Sequence, residues 1–196
     1  VCTEYCSIHP TSDDTPMPSA SIWDTADIKA HAKMVENVHR HGSLAGIQLW
    51  HGGYTSPNLY TREISVGPQS RPSARGNPVQ SLAMDKRDIA NYREWHRAAA
   101  QRAVDAGFDL VYVYATHGYI LSQFLSPEND RSDEYGGCLE NRVRLTREVL
   151  EDTREILRDR CALAVRISSD AGMTDGEPDS EEQKEVIALL ADFPDL

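Results

Sequence analysis

Tyr112, Tyr114, His117 and Tyr119 crowd the end of one apolar run, Leu110–Tyr114, and the polar loop that follows it. A phenol and an imidazole three positions apart can share a hydrogen bond and tune each other's proton affinity. Tyr114 and His117 are therefore the candidate catalytic pair. The plainer alternative is a loop histidine that caps a backbone group, with Tyr112 and Tyr114 packing on one strand face. Three more side chains stand where a packed interior would not ordinarily want them. Gln48 lies in the segment Gln48-Leu49-Trp50-His51-Gly52-Gly53, and strand alternation puts Gln48 and Trp50 on one face. A buried amide must find partners. A heterocycle with carbonyl and imide groups would satisfy both of its ends, and so would a neighbouring side chain. Arg166 sits late in the otherwise apolar Ala162–Ser168, where a charge faces either a paired acid or a bound anionic group. Tyr5, at the end of the first strand, can wall a ligand pocket or simply pack.

These residues need strands that end at a common rim. Val1–Ser7 reads as a short strand, followed by a polar turn with Pro10, Asp13, Asp14, Pro16 and Pro18. Asp24 precedes a helix with apolar spacing at Ile28, Ala32, Val35 and Val38, and Gly42 ends it. Leu44–Trp50 is the next strand. The long loop His51–Met84 is expected to hold a hairpin or short turns. Asp85, with Asp88 three residues on, opens a helix that runs to about Asp105. Leu110–Tyr114 is a strand, and a loop leads to a helix from about Leu139 to Arg158. Ala162–Ser168 is a strand, followed by a Gly/Asp loop and a helix from Ser180 to about Leu190. Such alternation means parallel strands with helical crossovers. No Gly-rich phosphate loop follows any strand, which disfavours an open dinucleotide-binding sheet. The long loops that follow strands favour an α/β fold of the (β/α)8 barrel type. Only about four βα units are present, roughly half of a barrel.

Composition narrows the function. A net charge of −11 provides no electrostatic footprint for nucleic acid or an anionic membrane. Cys2, Cys6, Cys138 and Cys161 match no zinc spacing and are too few for a disulfide scaffold, so they read as reduced thiols. Cys2 and Cys6 fall on one face of a regular strand. No metal site is expected. No apolar run approaches the roughly 20 residues of a membrane span, and no signal-peptide pattern is visible. A cytoplasmic protein is expected. The chain begins at Val1 within a strand pattern and stops at Leu196 just after a helical one, so a piece of a longer protein is expected.

The motifs combine into a resemblance. Gln48-Leu49-Trp50-His51-Gly52-Gly53, Ala106-Gly107-Phe108-Asp109, His117-Gly118-Tyr119 with Gln123-Phe124-Leu125-Ser126-Pro127, Asp133-Glu134-Tyr135-Gly136-Gly137 and Glu140-Asn141-Arg142 follow in order. The series resembles the old yellow enzyme family of FMN-dependent barrels over almost the whole chain. It implies one incomplete FMN-binding barrel domain over residues 1–196, from the second strand to the fifth helix. Thr3-Glu4-Tyr5-Cys6-Ser7-Ile8-His9-Pro10, Ser12-Asp13-Asp14 and Val111-Tyr112-Val113-Tyr114 resemble the trimethylamine and dimethylamine dehydrogenase branch. That branch carries tyrosine and histidine three apart where Tyr114 and His117 stand.

The resemblance implies roles. Gln48 would bind the pyrimidine edge of the flavin, and Arg166 would stabilise the anionic reduced ring. Tyr5 would wall an aromatic bowl that holds a methylated ammonium group. Tyr119 would line the same substrate site. Tyr114 and His117 would set protonation while the amine passes its electrons to FMN. Gln48 replaces the glutamate of the amine branch and, like His51, matches the wider family. Tyr119 also aligns with the proton-donor tyrosine of NAD(P)H-dependent ene-reductases, the alternative enzyme class. A non-catalytic partial barrel is the alternative from outside enzymology. The resemblance places the flavin-linking cysteine before Val1, and the catalytic aspartate after Leu196. It also places a 4Fe-4S cluster and a C-terminal nucleotide-binding domain beyond this chain. A small amine substrate, an electron-transfer flavoprotein as acceptor and a homodimer belong to the same expectation.

Overall fold

The computed structural model describes residues 1–17, 19–72, 80–168 and 180–191. Its centre is a sheet of parallel strands in the order β2 (Ala20–Ser21), β1 (Cys2–Ser7), β3 (Gly46–Trp50), β6 (Leu110–Ala115) and β7 (Ala162–Ile167). The long strands lie side by side in chain order. A doubly wound sheet reverses its strand order at a switch point, whereas the long strands here run across the sheet in one direction, with the two-residue β2 on the outer side of β1. The crossover helices α1 (Ile28–His39), α2 (Lys86–Asp105), α4 (Leu139–Leu157) and α5 (Ser180–Ala191) touch one another in succession. They therefore form one layer outside the sheet. Strands in sequence under a single helical layer make an arc of a (β/α)8 barrel.

The main core lies between these layers. Ile47 and Leu49 from β3 and Val111 and Val113 from β6 are buried with Ala99, Ala100 and Ala103 of α2 and Val149 and Leu150 of α4. Each of the buried valines, leucines and isoleucines contributes about 1.5–3 kcal/mol on leaving water. The run of alanines lets α2 approach the sheet closely. Opposite the sheet, α2 and α4 are tied by ion pairs: Arg93 binds Asp152 at 2.7 Å and Glu148 at 3.2 Å, and Arg97 binds Asp152 at 3.0 Å. The Asp85–Asp88 signal is a full capping box, each side chain accepting from the other's backbone N–H.

Several local expectations change. Asp24 precedes α1, its carboxylate accepting from Ala26 N, and Asp27 occupies the cap position. Cys2 and Cys6 do not share a face, because the pairing of β1 with β3 shifts register between Cys2 and Tyr5. Cys2 is exposed, and Cys6 is buried against His31. The loop after β3 holds a short 3-10 turn, Gly53–Thr55, and two short strands, β4 (Val66–Gly67) and β5 (Leu82–Ala83), paired in parallel. The loop after β6 contains a further helix, α3 (Ile120–Leu125), all of whose residues are buried. Its six residues are too short to announce themselves by periodicity. The Gly/Asp loop after Ser168 lies outside the described residues.

Candidate active site

The sheet's inner face carries two rows of side chains. Strand register sets Tyr5 beside Gln48 and Gln48 beside Tyr112. One pleat further along, Tyr114 lies beside Arg166. Alternation brings Trp50 to this same row. Trp50, Tyr114 and Tyr119 form an aromatic cluster separate from the main core, with Tyr5 packed against it. Ring centroids are 4.7 Å apart for Tyr5 and Trp50, 5.1 Å for Trp50 and Tyr119, and 5.8 Å for Tyr114 and Tyr119. Tyr5 lies 6.5 Å from Tyr114 and 6.3 Å from Tyr119. Edge-on and tilted geometries of this kind suit aromatic quadrupoles.

At the rim, the Tyr114 hydroxyl and His117 Nδ1 stand 3.1 Å apart in a hydrogen bond. Reaching that position requires His117 to adopt a left-handed backbone, φ +58°, which costs a non-glycine residue about 1–2 kcal/mol. The strain is held by specific contacts. The Ser168 hydroxyl, at the end of β7, accepts from His117 N at 3.2 Å and is hydrogen-bonded to the Thr116 hydroxyl. The Gln123 amide, from α3, donates to Gly118 O at 2.8 Å and to Gly52 O at 3.0 Å, and accepts from Tyr54 N at 3.2 Å. Gln123 thus clamps the loop after β3 to the loop after β6. Tyr119, the residue before α3, is positioned between them.

The polar edge of the site is the Gln48–Arg166 pair. Gln48 Nε2 donates to Thr3 O at 2.7 Å, and Gln48 Oε1 accepts from Arg166 Nη1 at 2.7 Å. The guanidinium also lies over the Tyr114 ring, 5.3 Å from its centroid. Arg166 therefore has an amide and an aromatic face as neighbours, where a carboxylate partner was one expectation. Trp50 Nε1 is buried with no hydrogen-bond partner among the described residues, an orphaned donor. Tyr5 donates to Asp14 Oδ2 at 2.6 Å. Burial and the Asp14 carboxylate together push the Tyr5 phenol well above its ordinary range.

All six sequence candidates, Tyr5, Gln48, Tyr114, His117, Tyr119 and Arg166, converge on this face. His51 does not. It is buried on the other side, its Nε2 2.9 Å from the Thr11 hydroxyl and its ring near Tyr92 and Trp95. Sequence reading passed over Asp14, Thr116 and Ser168 as site neighbours, since ordinary loop polar residues give no periodic signal. Trp50 was detectable, because alternation already placed it beside Gln48. The charged set after α3 is architectural: Arg131 binds Asp133 at 2.6 Å and donates to Met84 O at 2.6 Å, and Lys86 pairs with Glu134 at 2.9 Å. Among the described residues no group of three acidic, His or Cys side chains is placed to hold a metal, and no helix is long and apolar enough to cross a membrane.

A family model described as NADH:flavin oxidoreductase / NADH oxidase matches residues 1–195. The chain belongs to that family. It is 40% identical to a dimethylamine dehydrogenase of Hyphomicrobium sp. (strain x), covering 100% of this chain and 28% of the relative. Histamine dehydrogenase from Rhizobium sp. 4-9 superposes with a TM-score of 0.93 at 40% identity, over 99% of this chain and 29% of that one. An old yellow enzyme homologue from Zymomonas mobilis superposes at 0.83 with 28% identity, over 97% of this chain and 57% of that one. The chain thus spans less than a third of the length of its amine-dehydrogenase relatives. The partial barrel is shared with both kinds of relative.

Proposed function

We propose that the complete protein is an FMN-dependent dehydrogenase that oxidises a small methylated amine to an imine, which water then splits into an aldehyde and a shorter amine. The observation that carries this reading is the Tyr114–His117 hydrogen bond at the rim of an aromatic cluster. The likeness to amine dehydrogenases supports it.

The donor chemistry fits a flavin. Gln48 and Arg166 offer an amide and a guanidinium to a carbonyl and imide edge, and Trp50, on the same strand face as Gln48, has an Nε1 donor unused among the described residues. When bound, FMN supplies the chemistry of accepting the substrate's two electrons. The positive charge of Arg166 favours an electron-rich ring next to it. Tyr5, Trp50, Tyr114 and Tyr119 exclude water and present ring faces to an alkylated nitrogen. Tyr114 and His117 share one proton between oxygen and Nδ1, so the pair can hold a proton released from the amine. Supporting roles for a 4Fe-4S cluster, a nucleotide-binding domain, an electron-transfer flavoprotein and a homodimeric assembly belong to this reading of the whole protein, as does a cytoplasmic location.

Anaerobic addition of dimethylamine or trimethylamine to the complete flavoprotein should bleach its visible absorbance. A second reading, NADPH-driven reduction of activated alkenes, is favoured by Gln48 and by Tyr119 at the site. Failure to bleach with amines, together with alkene turnover by NADPH, would replace the first reading with the second.

A further inference from the structure

The Tyr5 phenol does not end in solvent. It donates to Asp14 Oδ2 at 2.6 Å, at the short end expected when a hydroxyl meets a charged carboxylate. The turn carrying Asp14 is held firmly. The neighbouring Asp13 carboxylate accepts from Thr15 N at 3.0 Å, Tyr60 N at 2.7 Å and Thr61 N at 3.0 Å. Asp14 is therefore presented from a fixed position, and no reorganisation is needed to use its charge.

The same phenol ring borders the aromatic cluster, its centroid 4.7 Å from that of Trp50. A phenol donating to an anion has a more electron-rich ring, so its face attracts a cation more strongly. The positive Arg166 lies elsewhere, over Tyr114 and bonded to Gln48. The site is thus polarised, with an anion at the Tyr5 hydroxyl and a cation over the Tyr114 ring.

We infer that Asp14 is a specificity-determining residue: acting through Tyr5, it makes the aromatic cluster select an alkylammonium cation over a neutral molecule of the same shape. This rests on the amine-oxidising reading above. It assigns charge selection to a side chain that touches the Tyr5 hydroxyl and is not itself a member of the cluster.

The test uses the complete flavoprotein and two probes of similar shape, tetramethylammonium and tert-butanol, with binding followed by calorimetry. Asp14→Asn should weaken tetramethylammonium about tenfold and leave tert-butanol unchanged. Asp14→Glu should restore most of the loss. Tyr5→Phe keeps the ring and removes the relay, so it should weaken tetramethylammonium about threefold and shrink the added effect of Asp14→Asn. Equal weakening of both probes, or no change in either, overturns the role of Asp14. If the unaltered protein binds tert-butanol as tightly as tetramethylammonium, the amine reading itself fails.

Discussion

Arg166 Nη1 donates to Gln48 Oε1 at 2.7 Å, joining side chains 118 positions apart in the sequence. The two strands that carry them are not neighbours; β6 lies between them. The bond therefore spans the inner face and sets the direction of both polar groups.

Arg166→Lys tests that arrangement. Lysine keeps the charge and loses the planar fork that serves Gln48 and the Tyr114 ring together. FMN affinity of the complete protein should fall about tenfold, read from quenching of flavin fluorescence on titration into apoprotein. An unchanged affinity would assign the pair to sheet packing.

His117→Gln keeps a polar side chain and removes the group that shares a proton with Tyr114. Flavin reduction by amine should slow by on the order of 100-fold, measured by stopped-flow absorbance. Tyr114→Phe should give a loss of similar size, and the double substitution should cost little more than either alone, because the pair acts as a unit. An unchanged rate in His117→Gln would leave it a loop histidine held by Ser168.

The Gln123 clamp predicts a contrast between two glycines in the left-handed backbone region. Gly42, φ +71°, has open space where a Cβ would go. Gly53, φ +62°, would drive a Cβ into the Gln123 amide. Gly42→Ala should cost about 1 kcal/mol from backbone strain alone. Gly53→Ala should cost roughly 3 kcal/mol more, by breaking bonds to Gly52, Gly118 and Tyr54. Urea denaturation of the complete protein measures both. Equal costs would show that the clamp is soft.

Acid should destabilise the fold before its carboxylates titrate. His51 Nδ1 accepts from Gly53 N at 3.0 Å, so its proton is on Nε2, facing the Thr11 hydroxyl at 2.9 Å. Thr11 in turn lies 2.8 Å from His9 Nδ1. Burial, reinforced by the Arg102 charge, pushes His9 down to about 4; burial and the neighbouring His9 push His51 down to about 3. Burial likewise lowers His96 to about 4, against the opposing pull of Asp152. Below the ordinary value of 6.5 the unfolded chain takes up protons that the folded chain refuses. Stability is therefore fully present above that value and falls as pH drops toward 4, by up to about 1.4 kcal/mol per pH unit for each group. The thermal midpoint should decline between pH 6.5 and 4.5, and His51→Gln should flatten the decline. A midpoint that is constant over this window would mean that these histidines are protonated in the folded state.

The sequence by itself determined the alternation of strands and helices, the capping box at Asp85 and Asp88, and the face on which Gln48 and Trp50 lie. Periodicity and capping are local properties, so they are written in neighbouring residues. It also carried the motif series that identified the family, and with it Tyr5, Tyr114, His117, Tyr119, Gln48 and Arg166. Tertiary structure decided what those residues touch. The slip in register within β1 turned Cys2 and Cys6 to different environments, and strand pairing is settled between segments. Helix α3 exists because Gln123 and the surrounding loops bury it, whereas its own six residues give too weak a pattern. The left-handed backbone of His117 depends on Ser168, 51 positions away, and the charge at the Tyr5 hydroxyl depends on the fold of the turn through Asp13 and Asp14. Contacts of that kind follow from the closure of loops against one another, which no local spacing encodes.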